Sequence, residues 1–373
     1  MARAPATSDI DTLPEADRLE GFPHPRETQA LYGHQQAEHT LAAELASGKM
    51  HHAWLVSGAE GVGKATLAYR FARAALARPE DRDVFGESLA VPSDTPASRQ
   101  VTALSHPGLL VIRRGYDHKT KKVASTISVD DVRRLRGFLS LSAEQDGWRV
   151  IIVDSADDMN LNAANALLKA LEEPPARTVF LVLSSAPGRL LPTIRSRCRV
   201  LALAPLTAGD VRRAALAALT SADKQAPIEM ELTTLEALSG GSVRRFLALL
   251  EGGGLALQAK IDTAFLSLPK LGSRALHVLA DDLQPAAKEQ KFTLFLELFQ
   301  NTLARLIRAE ATGEGRASDV ALAKRMIGAQ RLATFAHLWE TLAREQADTD
   351  ALNLDRKALI LAMFARLQAA SQD

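Results

Sequence analysis

Ala53-Trp54-Leu55-Val56-Ser57-Gly58-Ala59-Glu60-Gly61-Val62-Gly63-Lys64-Ala65-Thr66-Leu67 decides the fold of this chain. Ala53–Val56 has the length and continuous apolarity of a buried strand. A helical pattern follows in Leu67-Ala68, Phe71-Ala72 and Ala75-Leu76. Strand, glycine-rich loop and helix in that order make a P-loop. Its glycines let backbone N–H groups turn inward onto phosphates, and the helix N-terminus adds the positive end of its dipole. A lysine, here Lys64, reaches the outer phosphates. Such loops close on lysine followed by serine or threonine, whose hydroxyl holds Mg²⁺. This chain has Ala65 there, a methyl group that cannot coordinate metal. Thr66 comes one residue late, and one residue turns a helical side chain by about 100°. The expected pocket is built from Gly58, Gly61, Gly63, Lys64, Ala65 and Thr66. It should hold nucleotide weakly and hydrolyse it poorly.

Val150-Ile151-Ile152-Val153-Asp154 supplies a second wall, an apolar strand delivering a carboxylate to the Mg²⁺ side of such a pocket (a Walker B strand). Hydrolysing enzymes of this kind place a glutamate directly after that aspartate. Here Ser155 follows, and the next carboxylate is Asp157. A serine is no general base near neutral pH without an activating partner of its own. Ala65 and Ser155 are thus two independent losses, both striking catalysis and sparing the fold.

Further apolar runs at Leu109–Ile112, Val179–Leu183 and Val200–Leu203 alternate with helical patterns between about residues 30 and 203. Continuous rather than alternating apolarity marks strands covered on both faces, hence a doubly wound parallel sheet, with ligands bound beyond the strands' carboxyl ends. Ser128…Asp131 reads as a variant capping box. A helix over Ala163–Leu171, capped by Asn160 or Asn162, stops at Pro174-Pro175. Beyond Pro205 strand signals cease. Thr207…Asp210 caps a new helix, and Gly252-Gly253-Gly254 reads as a hinge. Phe292, Phe295, Leu296, Phe299, Leu303 and Leu306 then recur at helical spacing, mostly as core. The expected divisions are a disordered leader over 1–26, an α/β domain over 27–204, a helical lid over 205–254 and a helical domain over 255–373. Arg78–Ser105 reads as loop.

The charge is nearly balanced, 45 basic against 44 acidic residues. That excludes a global pull toward nucleic acid or anionic membrane. Aromatics at 5% are too few for an extensive base-stacking platform. The single cysteine, Cys198, fits a reducing compartment. No apolar run approaches membrane-spanning length and the polar N-terminal stretch lacks a signal-peptide centre, so a soluble, cytoplasmic protein without membrane partners is expected. His51-His52 and His34…His39 lack metal-ligand spacing, and no metal site is expected. Lys119, Lys121 and Lys122, beside Tyr116 and His118, offer a small basic run for which a solvated loop is the plainer reading.

Asn165-Ala166-Leu167-Leu168-Lys169-Ala170-Leu171-Glu172-Glu173-Pro174-Pro175, followed by Arg195-Ser196-Arg197-Cys198, resembles the clamp-loader branch of the AAA+ ATPases. The resemblance runs from about Gly33 through Arg245. It implies a RecA-like AAA+ sheet domain, a small all-α lid and an all-α C-terminal collar joining five subunits in a ring. It implies partners as well: ATPase subunits, a delta subunit, and, through the complex, a sliding clamp and primed DNA. On this reading Arg197 is an arginine finger, projecting into the ATP site of the adjacent subunit. Gly241-Ser242-Val243-Arg244 resembles the sensor-2 motif, in which Arg244 reports nucleotide on its own subunit, and Ser184 or Ser185 stands at sensor 1. Related subunits often carry a four-cysteine zinc module after the P-loop helix. Arg78–Ser105 contains no cysteine, so zinc is not expected. The implied role is a non-hydrolysing stator within a DNA-directed DNA polymerase (nucleotidyltransferase) complex, acting in DNA replication without polymerising DNA. ATP, bound without hydrolysis, is the cofactor the loop allows. The alternatives are an autonomous P-loop ATPase of recombination or repair, and a structural adaptor with an empty loop.

Overall fold

The computed structural model describes residues 15–83, 85–117, 122–140, 147–269, 272–283, 289–352 and 355–372. The chain forms two compact units, Met1–Phe246 and Leu247–Asp373.

The first unit is organised by five parallel strands: β1 (Ala53–Ser57), β2 (Leu109–Ile112), β5 (Arg149–Val153), β6 (Thr178–Ser184) and β7 (Arg199–Ala202), in the order β2-β5-β6-β1-β7. All five apolar runs are strands. A small antiparallel pair, β3 (Tyr116–Asp117) and β4 (Lys122–Val123), follows β2. The strands are apolar on both faces because both are covered. Trp54, Val56, Ile152 and Leu181 point into one core with Leu41 of α1 (Gln35–Ala46), Leu67 and Phe71 of α2 (Lys64–Leu76) and Val101 of α3 (Pro96–Thr102). The alternate residues Ala53, Leu55, Ile151 and Phe180 point into the other. There they meet Val132 and Leu135 of α4 (Val129–Ser140), and Leu167 and Leu171 of α5 (Leu161–Glu172). Period-2 alternation between two buried faces is the signature of a doubly wound sheet.

Local signals set the helix ends. Asp131 N–H donates to Ser128 Oγ while Ser128 N–H donates to Asp131 Oδ2 at 2.8 Å, a reciprocal box at the start of α4. Asn160, not Asn162, caps α5, accepting from Ala163 N–H at 2.9 Å. The helix ends one residue before Glu173-Pro174-Pro175.

Two expectations need correction. Residues 1–14 lie outside the described residues, but 15–26 are not a disordered leader. Glu15, Asp17, His24 and Arg26 are tied into a network with Arg113 just past β2, and His24 is fully buried. Arg78–Ser105 is not all loop either, since it contains α3, capped by Thr95. The basic run lies outside the described residues except for Lys122 in β4.

After β7 the chain turns at Pro205 into α7 (Ala208–Ser221), which Thr207 caps by accepting from Asp210 N–H. Then come α8 (Glu229–Ser239) and α9 (Val243–Glu251). The second unit is wholly helical among its described residues: α10 (Gly254–Ser267), α11 (Ser273–Leu283), α12 (Glu289–Thr312), α13 (Ala317–Met326), α14 (Gly328–Leu352) and α15 (Arg356–Gln372). Gly253, in the left-handed region at φ +67°, forms the break between α9 and α10. The spacing Phe292, Phe295, Leu296, Phe299, Leu303, Leu306 places one buried stripe on α12. Phe299 packs edge-on against Phe265 of α10 and Phe364 of α15, at 5.2 and 5.1 Å between ring centroids.

Candidate nucleotide-binding site

Parallel strands deliver their successors to one end of the sheet, and there the loop Gly58–Gly63 after β1, Asp154 after β5 and Ser184-Ser185 at the end of β6 converge. The loop has the backbone of a phosphate cradle. Gly61 and Gly63 have φ of +76° and +112°, conformations that side chains resist, and Gly63 is the N-cap of α2. Buried His34 supports the loop from behind, its Nε2 2.8 Å from the Val62 carbonyl.

Lys64 is 9% exposed and turned onto its own surroundings. Its ammonium donates to the carbonyls of Gly58 (2.7 Å) and Ala59 (2.9 Å) and to Ser185 Oγ (2.8 Å). Burial lowers its pKa, with Asp154, Glu60 and Asp157 opposing. Ser185, rather than Ser184, is therefore the strand-end serine that meets the loop lysine. Ser184 is fully buried and donates to Asp157. Asp157 also accepts from Ser185 N–H at 2.6 Å and Ala186 N–H at 3.1 Å. With its lone pairs so committed, Asp157 braces the β6 turn and does not stand in for the missing glutamate.

Asp154 directly follows β5. It is 8% exposed, and its N–H donates to Ile112 O at 2.9 Å, one residue before the Arg113 that holds Asp17. Burial first, and then the Asp17 carboxylate, raise its pKa to about 7. Asp17 moves the other way. Burial would raise it, but His24, whose Nε2 lies 2.8 Å from its carboxylate, and the charge of Arg113 (2.7 Å) prevail and lower it. Nothing local marks residues 15–26 as part of the site, because Arg113 is 96 residues beyond Asp17.

The lid segment completes the wall. Val243 N–H donates to the Gly61 carbonyl at 3.0 Å, so the start of α9 rests on the loop. Arg244 Nε lies 3.0 Å from Glu60 Oε1, and its Nη1 reaches the Asp17 carbonyl at 3.5 Å. The structure thus brings together Gly58, Gly61, Gly63, Lys64, Asp154, Ser185 and Arg244. Ala65 and Thr66 open α2. As a test of fit, the glycine backbone and helix N-terminus suit phosphates. The metal side lacks one ordinary Mg²⁺ ligand, since position 65 has no hydroxyl. Among the described residues no group of three or more histidine, cysteine or acidic side chains is arranged to hold a metal.

Arg197 is elsewhere. It follows the short helix α6 (Pro192–Arg195), whose Ile194 is fully buried, and precedes Cys198, 9% exposed. These two anchors leave the guanidinium outward. It donates to Thr193 O and to Glu172 Oε1, both at 3.0 Å. Arg197 lies just before the N-terminal end of β7, whereas the loop follows the C-terminal end of β1. The two strands are parallel neighbours in the register Trp54↔Arg199 to Ser57↔Ala202. Arg197 and its own P-loop are therefore at opposite ends of the sheet, a strand length or roughly 15 Å apart at about 3.3 Å per residue.

Residues 33–207 match the family model described as DNA polymerase III, delta subunit. The DNA polymerase III subunit delta' of Pseudomonas aeruginosa is 39% identical over 214 residues, covering 57% of this chain and 59% of that protein. That of Escherichia coli is 36% identical over 166 residues, covering 44% and 46%. A DNA polymerase III subunit gamma/tau of Mycobacterium tuberculosis is 33% identical over 167 residues, 45% of this chain and 27% of that one. The chain thus spans about half the length of the delta' relatives it matches. Among solved structures, a gamma subunit-related protein of Thermotoga maritima superposes with TM-score 0.44 at 18% identity, over 89% of this chain and 98% of that one. No helix among the described residues is long and apolar enough to cross a membrane. Over residues 33–207 the chain is thus similar to the family described as DNA polymerase III, delta subunit, with bacterial delta' subunits among its relatives.

Proposed function

We propose that this chain is a delta'-type stator of a DNA polymerase III clamp loader. It lends Arg197 to the ATP site of a neighbouring subunit in a five-subunit ring and so helps load a sliding clamp on primed DNA during replication. The observation that carries this reading is the placement of Arg197. It is exposed on a firmly anchored turn, at the opposite end of the sheet from its own loop. A guanidinium there has no reach to its own pocket and every opportunity to reach another subunit's. At a neighbour's γ-phosphate it stabilises the charge that develops on the transferring group, an effect worth roughly 10³–10⁵ in rate for arginine fingers in general. The chain's own pocket contributes no hydrolysis. Ala65 cannot hold the metal, and Asp157 is engaged with Ser184, Ser185 and Ala186. The same facts weigh against an autonomous ATPase. ATP binding without hydrolysis and a cytoplasmic location belong to the same proposal.

The test is Arg197→Ala in a complex reconstituted with its ATPase subunits, the delta subunit, the clamp and primed DNA. The DNA- and clamp-stimulated ATPase rate should fall at least tenfold while gel filtration shows the complex intact. An unchanged rate sinks the assignment.

A further inference from the structure

Residues 15–29 lie N-terminal to the stretch that matches the family, yet they are bonded by α2, by the end of α3, by Arg113 just past β2 and by Arg244 of α9. Two arginines of α2, the helix that begins at the loop lysine, grip the segment by its carbonyls. Arg70 donates to Gln29 O, and buried Arg73 donates to Arg26 O and to Thr28 O at 3.1 Å. Arg26 donates to Thr102 O at the end of α3 (2.9 Å). Arg113, one residue beyond β2, bonds both Glu15 and Asp17. Asp154 N–H donates to Ile112 O at 2.9 Å, one residue before Arg113, so the Asp17 carboxylate held by Arg113 stands on the Asp154 side of the pocket, and the Asp17 carbonyl lies 3.5 Å from Arg244 Nη1.

We infer that this segment is an autoinhibitory clasp: Asp17 stands on the metal-facing side of the chain's own nucleotide pocket, and nucleotide enters tightly only when the clasp is withdrawn. The argument is one of charge and space. In a P-loop pocket the Walker B carboxylate looks toward the cation that bridges the outer phosphates. Here a second carboxylate, Asp17, is held on that side by His24 and by Arg113, the residue after the Ile112 that Asp154 N–H bonds. A metal-free polyphosphate would add negative charge beside two buried carboxyl groups, and position 65 offers no hydroxyl to help hold a compensating cation. Arg244, the lid cation positioned for phosphate, is occupied by Glu60 and by the backbone of the clasp. Lys64 is likewise spent on Gly58, Ala59 and Ser185. The inference takes the pocket from the reading above and owes nothing to Arg197.

The experiment is an equilibrium titration of the full chain with a fluorescent ATP analogue, with and without Mg²⁺. It compares the wild type, Asp17→Ala and the shape-conserving Asp17→Asn, with Lys64→Ala as the control for loop binding. Hydrogen exchange of amides 15–29 in the wild type, with and without saturating analogue, supplies a readout independent of either variant's folding. The expected result is at least tenfold tighter binding by an Asp17 variant, abolished by adding Lys64→Ala, and faster exchange across 15–29 when the wild type is loaded. Equal affinities overturn the inference, as does unchanged exchange with analogue bound, or binding by none of the proteins. The assignment of Arg197 fails only in the ring ATPase assay, so the two failures cannot be confused.

Discussion

Glu172 and Arg197 form an ion pair across the C-terminal end of α5, Oε1 to Nη2 at 3.0 Å, with side chains 46% and 37% exposed. The motif that ends in Glu172-Glu173-Pro174-Pro175 and the motif Ser196-Arg197-Cys198 are thus one structure. The first ends a helix beside the arginine that the second presents.

An ion pair this exposed gains little in water. Glu172→Gln should change unfolding free energy by less than about 1 kcal/mol, measured by urea denaturation. It should leave Arg197 free to sample more orientations. A loss of several kcal/mol would mean that the pair is a structural clamp and not a tether on an otherwise free side chain.

Cys198 is a probe of the anchor beneath that arginine. Burial pushes its thiol up to about 11, and its side chain lies in the core beside Ile194. Since the thiolate is the reactive species, alkylation at pH 8 should be very slow in the native protein. It should become rapid in urea, as followed by intact mass. Native labelling at the unfolded rate would show that the turn carrying Arg197 opens readily.

Two glycines should respond to alanine with opposite signs. Gly61 has φ +76°, and an added Cβ would overlap Ser242 Oγ and Arg244 Cβ of the lid segment. Gly61→Ala should therefore cost on the order of 1–3 kcal/mol and loosen the Val243–Gly61 contact. Gly137, within α4, meets nothing within 4 Å of such a Cβ. Gly137→Ala should stabilise by about 0.4–1 kcal/mol through the unfolded state. Chemical denaturation of both variants decides whether the close approach of lid and loop is as tight as the backbone indicates.

What could be read from the sequence was whatever local chemistry encodes. Strands buried on both faces announce themselves by continuous apolarity, as at Val150–Val153. Caps announce themselves by a polar residue three positions from its partner, as at Ser128 and Asp131. The glycine loop is legible because its job is done by backbone geometry that only particular residues permit. The clasp was illegible for the converse reason. Glu15, Asp17 and His24 look like an ordinary polar stretch, and their meaning comes from Arg113 and Asp154, which only the folded sheet brings near. The choice between Ser184 and Ser185 was equally out of reach. Adjacent strand residues face opposite ways, and which one meets Lys64 depends on the register of β6 against β1.

Asp154 and the carboxyl groups of the clasp should give stability two opposed responses to pH. Asp154 has its folded-state pKa raised from 3.8 to about 7, by burial and then by Asp17. Between those values the unfolded chain has released the proton and the folded chain retains it, so stability falls as pH rises from about 4 to about 7. Glu15 behaves in the opposite sense. Burial alone would raise it, but Arg26 and Arg113 hold its pKa down at about 2, from 4.5. Its stabilisation is present above pH 4.5 and is lost as pH falls toward 2. Asp17, also lowered, adds to that acid loss. Asp154→Asn removes the charge while keeping the shape, and should flatten the profile between pH 4 and 7 and raise the melting temperature at pH 8. Glu15→Gln should leave that window alone and blunt the decline below pH 4. Calorimetric melting across pH 3 to 8 separates the two, and an Asp154→Asn slope equal to that of the wild type would show that burial and Asp17 do not raise Asp154 in solution.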